Sequence, residues 1–482
     1  MKRVASGQLD SFRIDRTSTK LPAPPSENEC DEKSSTVLQT IIGETDIDSF
    51  FRDTFQLIPS NFSIQRNADN SSPELENVYS MGWDGVSLML HKSQSYLNSA
   101  ENVDGTFLPL FFRNQEPLQL DEIKATYGNS PFAAFLDGCS IVNNHADLLS
   151  PSLAALCLDL QRSFPHAYVN TYLTPPNAAA VNAHADDRDV FVIQVLGEKQ
   201  WKVYGEVPIP YPSTNEQVGK NNLPVPNSVL QKKPLFNITL KQGDVLYMPR
   251  GFVHEASTSS SEPSFHATVA LATHDWSLSK TISDVVTQQL ESSSKYRLAV
   301  HPEFGMRNLE LVGMDHKEKL NGLIKDAIDC ISSKINVEII SDHLGAKYRA
   351  HNQCVEEKRK KLCDDATSQS ALNMHSNAVV GPEAAQAVKT NSKVRAGTPE
   401  EKASVPPPIA THGRGLTVRE DTFDSLISIL SILRNENKTV EVGKLRQEIR
   451  NSKGVDMLCE LTVISFVKCC VELGAMAIVV MD

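Results

Sequence analysis

The chain lacks any run of eighteen apolar residues, which excludes a membrane-spanning helix from its reading, and no membrane partner is expected. Cysteine is sparse and unpatterned. The nine residues run from Cys30 to Cys470 without a Cys-x-x-Cys pair, so neither a disulfide framework nor a zinc module is expected, and the thiols read as kept reduced. Adjacent Cys469 and Cys470 lie in an apolar, helix-like stretch and are expected to be buried rather than redox-active. Basic charge is in deficit: 47 Lys plus Arg stand against 59 Asp plus Glu, a formal net charge of -12. That balance argues against a general nucleic-acid coat and favours basic partners. Lys2 and Arg3 are followed by no apolar run, so no secretory signal is expected, and Asp10 and Asp15 argue against a transit peptide. Cytosol or nucleus is the expected compartment.

The 482 residues suffice for two to four folded units, at about 150 residues per domain. Residues 1–36 are polar and include Lys-Leu-Pro-Ala-Pro-Pro, a composition that cannot offset its ordering entropy, so the segment is expected to be disordered. Residues 37–275 are expected to form a mainly β domain. Short apolar runs separated by Pro, Gly and Asn predict strands at Val190–Val195, Gln200–Tyr204, Phe236–Leu240, Val245–Met248 and Thr268–Ala272. Near Trp276 the texture becomes helical, through 278–290, 320–335 and 343–363. Leu320, Leu323, Ile324, Ala327, Ile328, Ile331 and Ile335 follow the 3.6-residue period on one face, which needs a partner. Residues 276–363 are therefore read as a helical dimerisation region and the chain as a homodimer. Residues 364–415, rich in Ser, Ala, Asn and Pro and containing Pro406–Pro408, read as a disordered linker. In 416–482 three helices and a strand after Gly474 suggest a winged-helix-like module. Lys and Arg are not clustered on its second and third helices, so protein packing is placed ahead of nucleic-acid binding, which stays open.

Chemistry concentrates in Asn182-Ala183-His184-Ala185-Asp186-Asp187, which precedes the strand Val190–Val195 and the run Gly197-Glu198-Lys199-Gln200-Trp201. On a strand, residues two apart project to one side, so His184 and Asp186 can present an imidazole and a carboxylate to one ion. Alone, a His-x-Asp pair is a weak signal. It gains force from Gly243-Asp244-Val245-Leu246-Tyr247-Met248-Pro249-Arg250-Gly251-Phe252-Val253-His254, a turn, a strand, a tight turn and a second histidine. In a double-stranded β-helix, where two sheets face each other, His254 can reach the pair and complete a two-His, one-carboxylate facial triad. Such a triad leaves positions open on one side, as non-haem Fe(II) requires for a cosubstrate and O2.

These residues resemble the JmjC-type ribosomal oxygenases, also called bifunctional lysine demethylase and histidyl-hydroxylase proteins. The likeness rests on Asn170-Thr171-Tyr172-Leu173-Thr174-Pro175-Pro176-Asn177, the His-x-Asp-Asp block with its following Gly-Glu-Lys-x-Trp, and the GDxLYxPRGxxH element. Ser49–Arg66 and Asp137-Gly138-Cys139 add to it. The resemblance implies a cupin-like JmjC core, a helical dimerisation region and a C-terminal winged helix. It assigns His184, Asp186 and His254 to Fe(II), Lys199 to the distal carboxylate of 2-oxoglutarate, and Asn170, Tyr172 and Thr268 to the cosubstrate side. The activity implied is hydroxylation of an unactivated C–H bond, coupled to decarboxylation of 2-oxoglutarate and consumption of molecular oxygen. The expected target is a histidine of a ribosomal protein in the nucleus or nucleolus, with cytoplasm as the alternative. Demethylation of histone methyl-lysine is a second reading; a non-catalytic cupin scaffold whose winged helix binds nucleic acid or protein is a third. Two departures concern the substrate side: Ala185 where the family has an aromatic residue, and Ala270 where it has Ser.

Several neighbours have plainer readings. With the triad complete, His266 and His274 are expected to be structural or exposed. Asp187 and Asp189 read as a solvated strand edge, the alternative being a grip on a basic substrate side chain. Arg250 is expected to support the site from its turn, and Trp201 to be a core residue alternating with Lys199 and Lys202.

Overall fold

The structure, a computed structural model, describes residues 36–64, 72–98, 108–220, 222–259, 262–302, 304, 309–372, 388, 392–404, 420–435, 438–453 and 458–479. The expected disordered segment 1–36, save Thr36, and residues 65 and 66 of the Ser49–Arg66 stretch lie outside them.

Eleven strands build the catalytic-size unit: β1 (Ser60–Ser63), β2 (Leu110–Arg113), β3 (Glu116–Leu118), β4 (Ser140–Asn143), β5 (Ala167–Thr174), β6 (Val190–Leu196), β7 (Glu198–Val203), β8 (Phe236–Lys241), β9 (Asp244–Met248), β10 (His254–Ser257) and β11 (Ser264–Leu271). They form an eight-stranded antiparallel sheet, in the order β1-β9-β6-β11-β5-β4-β2-β3, and a three-stranded sheet, β10-β7-β8. Val190, Val192, Leu246, Met248 and Ala270 of the large sheet meet Trp201, Val203 and Leu240 of the small one in an apolar layer between them. The opposite face of the large sheet packs Phe191, Ile193, Tyr247 and Val269 against helices, with Phe50 edge-on to Tyr247 at 5.4 Å. This double burial explains the apolar run Val190 to Ile193 that opens β6, which a half-exposed strand would replace by alternation. The architecture is a double-stranded β-helix with helices on its outer face.

Between β6 and β7 the chain passes from one sheet to the other at Gly197, whose φ is +65°. A Cβ there would lie 2.1 Å from the Pro263 carbonyl oxygen. Left-handed backbone and the absence of space both demand glycine.

Past Trp276 come the helices Leu278–Glu291, Met314–Lys334 and Val337–Leu372, the last longer than the expected 343–363. The first contacts both of the others. Helix Met314–Lys334 buries no residue, and its Ile324 and Ile328 are exposed. No helix among the described residues is long and apolar enough to cross a membrane.

The boundaries of the linker need correction. Residues 364–372 continue the long helix, while β12 (Lys393–Ala396) lies between β13 (Val440–Glu441) and β14 (Met476–Val479) in a third antiparallel sheet. The C-terminal module thus recruits a strand from before residue 416. Its helices Glu420–Asn435, Val442–Lys453 and Glu460–Glu472 surround that sheet. Helix Glu460–Glu472 packs on helices Pro131–Leu136 and Gly82–Asn98 of the β unit, with Lys468 Nζ 4.5 Å from the Phe132 ring centre. This all-round burial encloses free Cys469 and Cys470.

Gly197→Ala should destabilise the protein by at least about 2 kcal/mol, from the left-handed backbone and the forced shift of the Pro263 carbonyl. Urea unfolding followed by circular dichroism should report a lower midpoint with an unchanged slope.

Candidate metal centre

His184 and His254 sit opposite each other as a single antiparallel bridge, their main chains exchanging N–H···O bonds of 3.0 and 2.9 Å. The expected strand around His184 does not form. One bridge is enough, because an extended segment still sends residues two apart to one side. A third main-chain bond, Gly251 N–H to the Asp186 carbonyl at 3.0 Å, ties the two segments again. Ala185 points the other way and is buried with Tyr204, Val218, Val229 and Val253.

Three potential ligand atoms, one each from His184, Asp186 and His254, lie within 4.8 Å of one another. His184 Nε2 is 3.6 Å from Asp186 Oδ1, and His254 Nε2 is 3.7 Å from Asp186 Oδ2. Each imidazole donates its Nδ1–H to a main-chain carbonyl two residues earlier, Asn182 at 2.7 Å and Phe252 at 3.0 Å. Those bonds fix the tautomer and leave both Nε2 lone pairs facing the carboxylate. Burial, reinforced by Lys220 and the other histidine, pushes His184 down to about 3. Burial also lowers His254. For Asp186 burial acts upward, but Lys220, His184 and His254 together hold its carboxyl below the ordinary range. Two neutral imidazoles and a carboxylate are the protonation states a divalent ion needs, so the donor set fits a metal.

The triad opens into a small cleft lined also by Tyr172, Lys199, Trp201, His266 and Thr268, with Val190, Val192 and Met248 as an apolar wall. Lys199 is only 2 % exposed. Its Nζ donates to Thr174 Oγ1 at 2.9 Å, and burial pushes the ammonium down to about 7. A buried cation without a carboxylate partner is a receptor for an anion. Asn170 is not among the lining residues; two positions before Tyr172, its Oδ1 accepts the His145 N–H at 3.1 Å.

Other expectations are corrected by burial. Trp201 does not alternate with Lys199: they are two apart on β7 and face the cleft together, while Lys202 turns out to Glu255 at 3.0 Å. Asp189 is no solvated edge and cannot reach a substrate. Fully buried, it accepts from the Tyr247 hydroxyl and from Arg250 N–H, which secures the Pro-Arg-Gly turn ahead of His254. Asp187 accepts from Thr214 Oγ1 at 3.0 Å. His274 shares that Thr214 contact, whereas His266 lines the cleft itself.

Sequence reasoning missed Thr174 as the partner of Lys199, and missed Lys220. Lys220 Nζ donates to Asp186 Oδ1 at 2.6 Å. Its loop approaches so closely that a Cβ on Gly219 would lie 2.6 Å from His184 Cα. Neither pairing has a local signal. Thr174 is 25 residues from Lys199, and Lys220 is 34 from Asp186.

A double-stranded β-helix with a two-His, one-carboxylate triad at its mouth is a cupin-type metal site. Comparison agrees: the JmjC domain family is matched over residues 150–278. That stretch of the chain is accordingly a JmjC domain, and the chain has homologues among the bifunctional lysine-specific demethylase and histidyl-hydroxylase NO66 proteins. That of Dictyostelium discoideum is 26% identical over 353 residues, covering 69% of this chain and 63% of the relative. That of Drosophila willistoni is 25% identical over 343 residues, covering 71% and 42%. The chain therefore spans less than two thirds of the length of these relatives. Among solved structures, the Escherichia coli ribosomal oxygenase YcfD aligns with a TM-score of 0.37 and 14% identity, over 90% of this chain and 98% of that one.

The buried neutral histidines set an acid limit. His184, His254 and His266 stay uncharged in the fold, whereas unfolded imidazoles take up protons near pH 6.5. The unfolded chain then binds more protons, so stability falls as pH drops below about 6.5, a loss that for His184 continues towards pH 3. Metal-free protein should lose on the order of 1 kcal/mol per histidine per pH unit. Urea midpoints measured between about pH 7.5 and about pH 5 should decline accordingly.

Proposed function

We propose that the chain is an Fe(II)- and 2-oxoglutarate-dependent protein hydroxylase acting on a histidine of a ribosomal protein. The observation that carries this reading is the convergence of His184, Asp186 and His254 in one cleft with the buried, carboxylate-free ammonium of Lys199. The names of the NO66 relatives give both histidyl hydroxylation and lysine demethylation, and the first supports a histidine as the target.

The three triad residues would hold Fe(II) on one face. Bound there, Fe(II) supplies the oxidising chemistry that couples conversion of 2-oxoglutarate and O2 to succinate and CO2 with placement of one oxygen atom in a C–H bond. The protein's own work is positioning. Asn182 and Phe252 carbonyls aim the imidazoles, and Lys220 keeps Asp186 anionic. Lys199 is placed to pair with the distal carboxylate of the keto acid, steadied by Thr174. Val190, Val192 and Met248 make one wall of the cleft apolar. The net charge of -12 suits basic ribosomal proteins or histone tails.

Purified protein with Fe(II), ascorbate and ribosomal proteins should convert 2-oxoglutarate to succinate, and His184→Ala should not. Mass spectrometry should find a histidine heavier by about 16 Da; a methyl-lysine lighter by about 14 Da would indicate demethylation instead. Absence of turnover, with His184→Ala indistinguishable from wild type, would leave the scaffold reading. Lys199→Ala should weaken 2-oxoglutarate binding by about 100-fold, as loss of a charge-assisted contact requires.

The exposed apolar face of helix Met314–Lys334, with Ile324 and Ile328, supports a homodimer formed through the helical region. Light scattering at micromolar concentration should give the dimer mass, and the double substitution Ile324→Lys, Ile328→Lys should give the monomer.

A further inference from the structure

The carboxylate of the triad is held by a cation that comes from the excursion between β7 and β8. Lys220 Nζ donates to Asp186 Oδ1 at 2.6 Å and to Gln217 Oε1 at 3.2 Å. Gln217 is buried, and its Nε2 donates in turn to the Thr214 carbonyl at 3.2 Å. Thr214 completes the set by donating through Oγ1 to Asp187 Oδ2 at 3.0 Å, one residue beyond the ligand. The ammonium is thus fixed between two acceptors, and its stem is not at liberty to swing. Its side chain is 38 % exposed, so the charge keeps part of its hydration and escapes the full cost of burial.

The loop that carries Lys220 is fitted to this place. The Val218 carbonyl accepts the N–H of Ala185, the residue between the two ligands His184 and Asp186, at 2.9 Å, and the two side chains pack together. Gly219 has φ +81°, and a Cβ on it would lie 2.4 Å from the Ala183 carbonyl oxygen. Only glycine lets the loop come so close. Gly219 N–H then meets the Leu223 carbonyl at 2.6 Å, and Leu223 N–H the Lys220 carbonyl at 2.9 Å, a tight turn that aims Lys220 back at the ligand. A half-exposed ion pair adds little stability by itself, so a loop shaped this closely around one points to a task at Asp186.

That task follows from how a carboxylate binds a metal. With both oxygens available it can grip an ion through the pair of them and so take up a second position. A two-His, one-carboxylate triad works by keeping positions on one side open. His184 Nε2 lies 3.6 Å from Asp186 Oδ1 and His254 Nε2 lies 3.7 Å from Oδ2, so neither oxygen is turned away from the histidines. We propose that Lys220 is a positioning residue that reserves Oδ1, so that Asp186 offers an ion Oδ2 alone and a position stays open for a chelating keto acid. This rests on the reading of the triad as the metal site of a 2-oxoglutarate enzyme. An ammonium beside the ligand also repels a divalent ion, so the open site holds its metal less tightly than the same three ligands would without Lys220.

The test is calorimetric titration of the full-length protein, first with Mn(II), which fills the site without turnover, and then with 2-oxoglutarate at saturating Mn(II). Lys220→Met keeps the stem and removes the charge and the donors. It should bind Mn(II) roughly 10-fold more tightly, and 2-oxoglutarate roughly 10-fold more weakly. The opposite signs are the signature, because a variant that merely loosened the loop would lose affinity for both. Lys220→Ala should show the same two shifts, and it decides the matter if Lys220→Met fails to fold. Mn(II) affinity equal to or below that of wild type, or 2-oxoglutarate affinity within about threefold of wild type, would overturn the inference alone. Wild-type protein that takes up Mn(II) no better than His184→Ala, or binds no 2-oxoglutarate once Mn(II) is in place, would overturn the reading of the triad, and this inference with it.

Discussion

The short main-chain pairing of His184 with His254 is the constraint on which the site depends. Two segments seventy residues apart in the chain, one leading into the large sheet and the other into the small sheet, are joined by two reciprocal hydrogen bonds. Because the bond is between main chains, it fixes where both imidazoles start, and the carbonyls of Asn182 and Phe252 then fix where they point. Asp186 is locked to the same frame by the Gly251 bond. Side-chain flexibility is removed before any ion enters, so binding need not order the ligands as well. The β-sandwich behind them serves largely to hold this bridge at the open edge of its apolar layer.

Charge in the cleft is arranged by the same economy of contacts. Asp186 is flanked by Lys220, and Lys199 has only a hydroxyl partner. An isolated buried ammonium is destabilising, and the fall of Lys199 to about 7 expresses that cost. Lys202 meets Glu255, and Arg188 meets Asp275 at 2.9 Å, whereas buried Lys468, set against the Phe132 ring and pushed down to about 8, bears the same kind of cost as Lys199. What distinguishes Lys199 is its place on the cleft, where a ligand carboxylate would relieve that cost. Local instability is then the counterpart of affinity.

Much of this was legible in the sequence, for identifiable reasons. The runs Val190–Val195 and Val245–Met248 are apolar because their strands are covered on both faces, and such runs stand out without any contact information. His184, Asp186 and His254 were legible because metal ligation restricts residue type and spacing together. What escaped notice depends on partners far away in the chain. Asp189 looks like one more acidic residue until Tyr247 and the Arg250 main chain enclose it. β12, with the composition Lys-Val-Arg-Ala, lies in a stretch read as linker because its burial comes from pairing with β13 and β14 and from packing on helix Glu420–Asn435. Short strands carry little pattern of their own.

His266 lies between these cases. Read singly, a histidine beside a complete triad is a structural residue, and its burial agrees with that reading. Its ring nevertheless lies along the cleft, parallel to Tyr172 across the β11–β5 pair and with the Trp201 indole at its edge. Both neighbours come from strands far away in the chain, so the packing that fixes His266 leaves no mark in its own stretch of sequence.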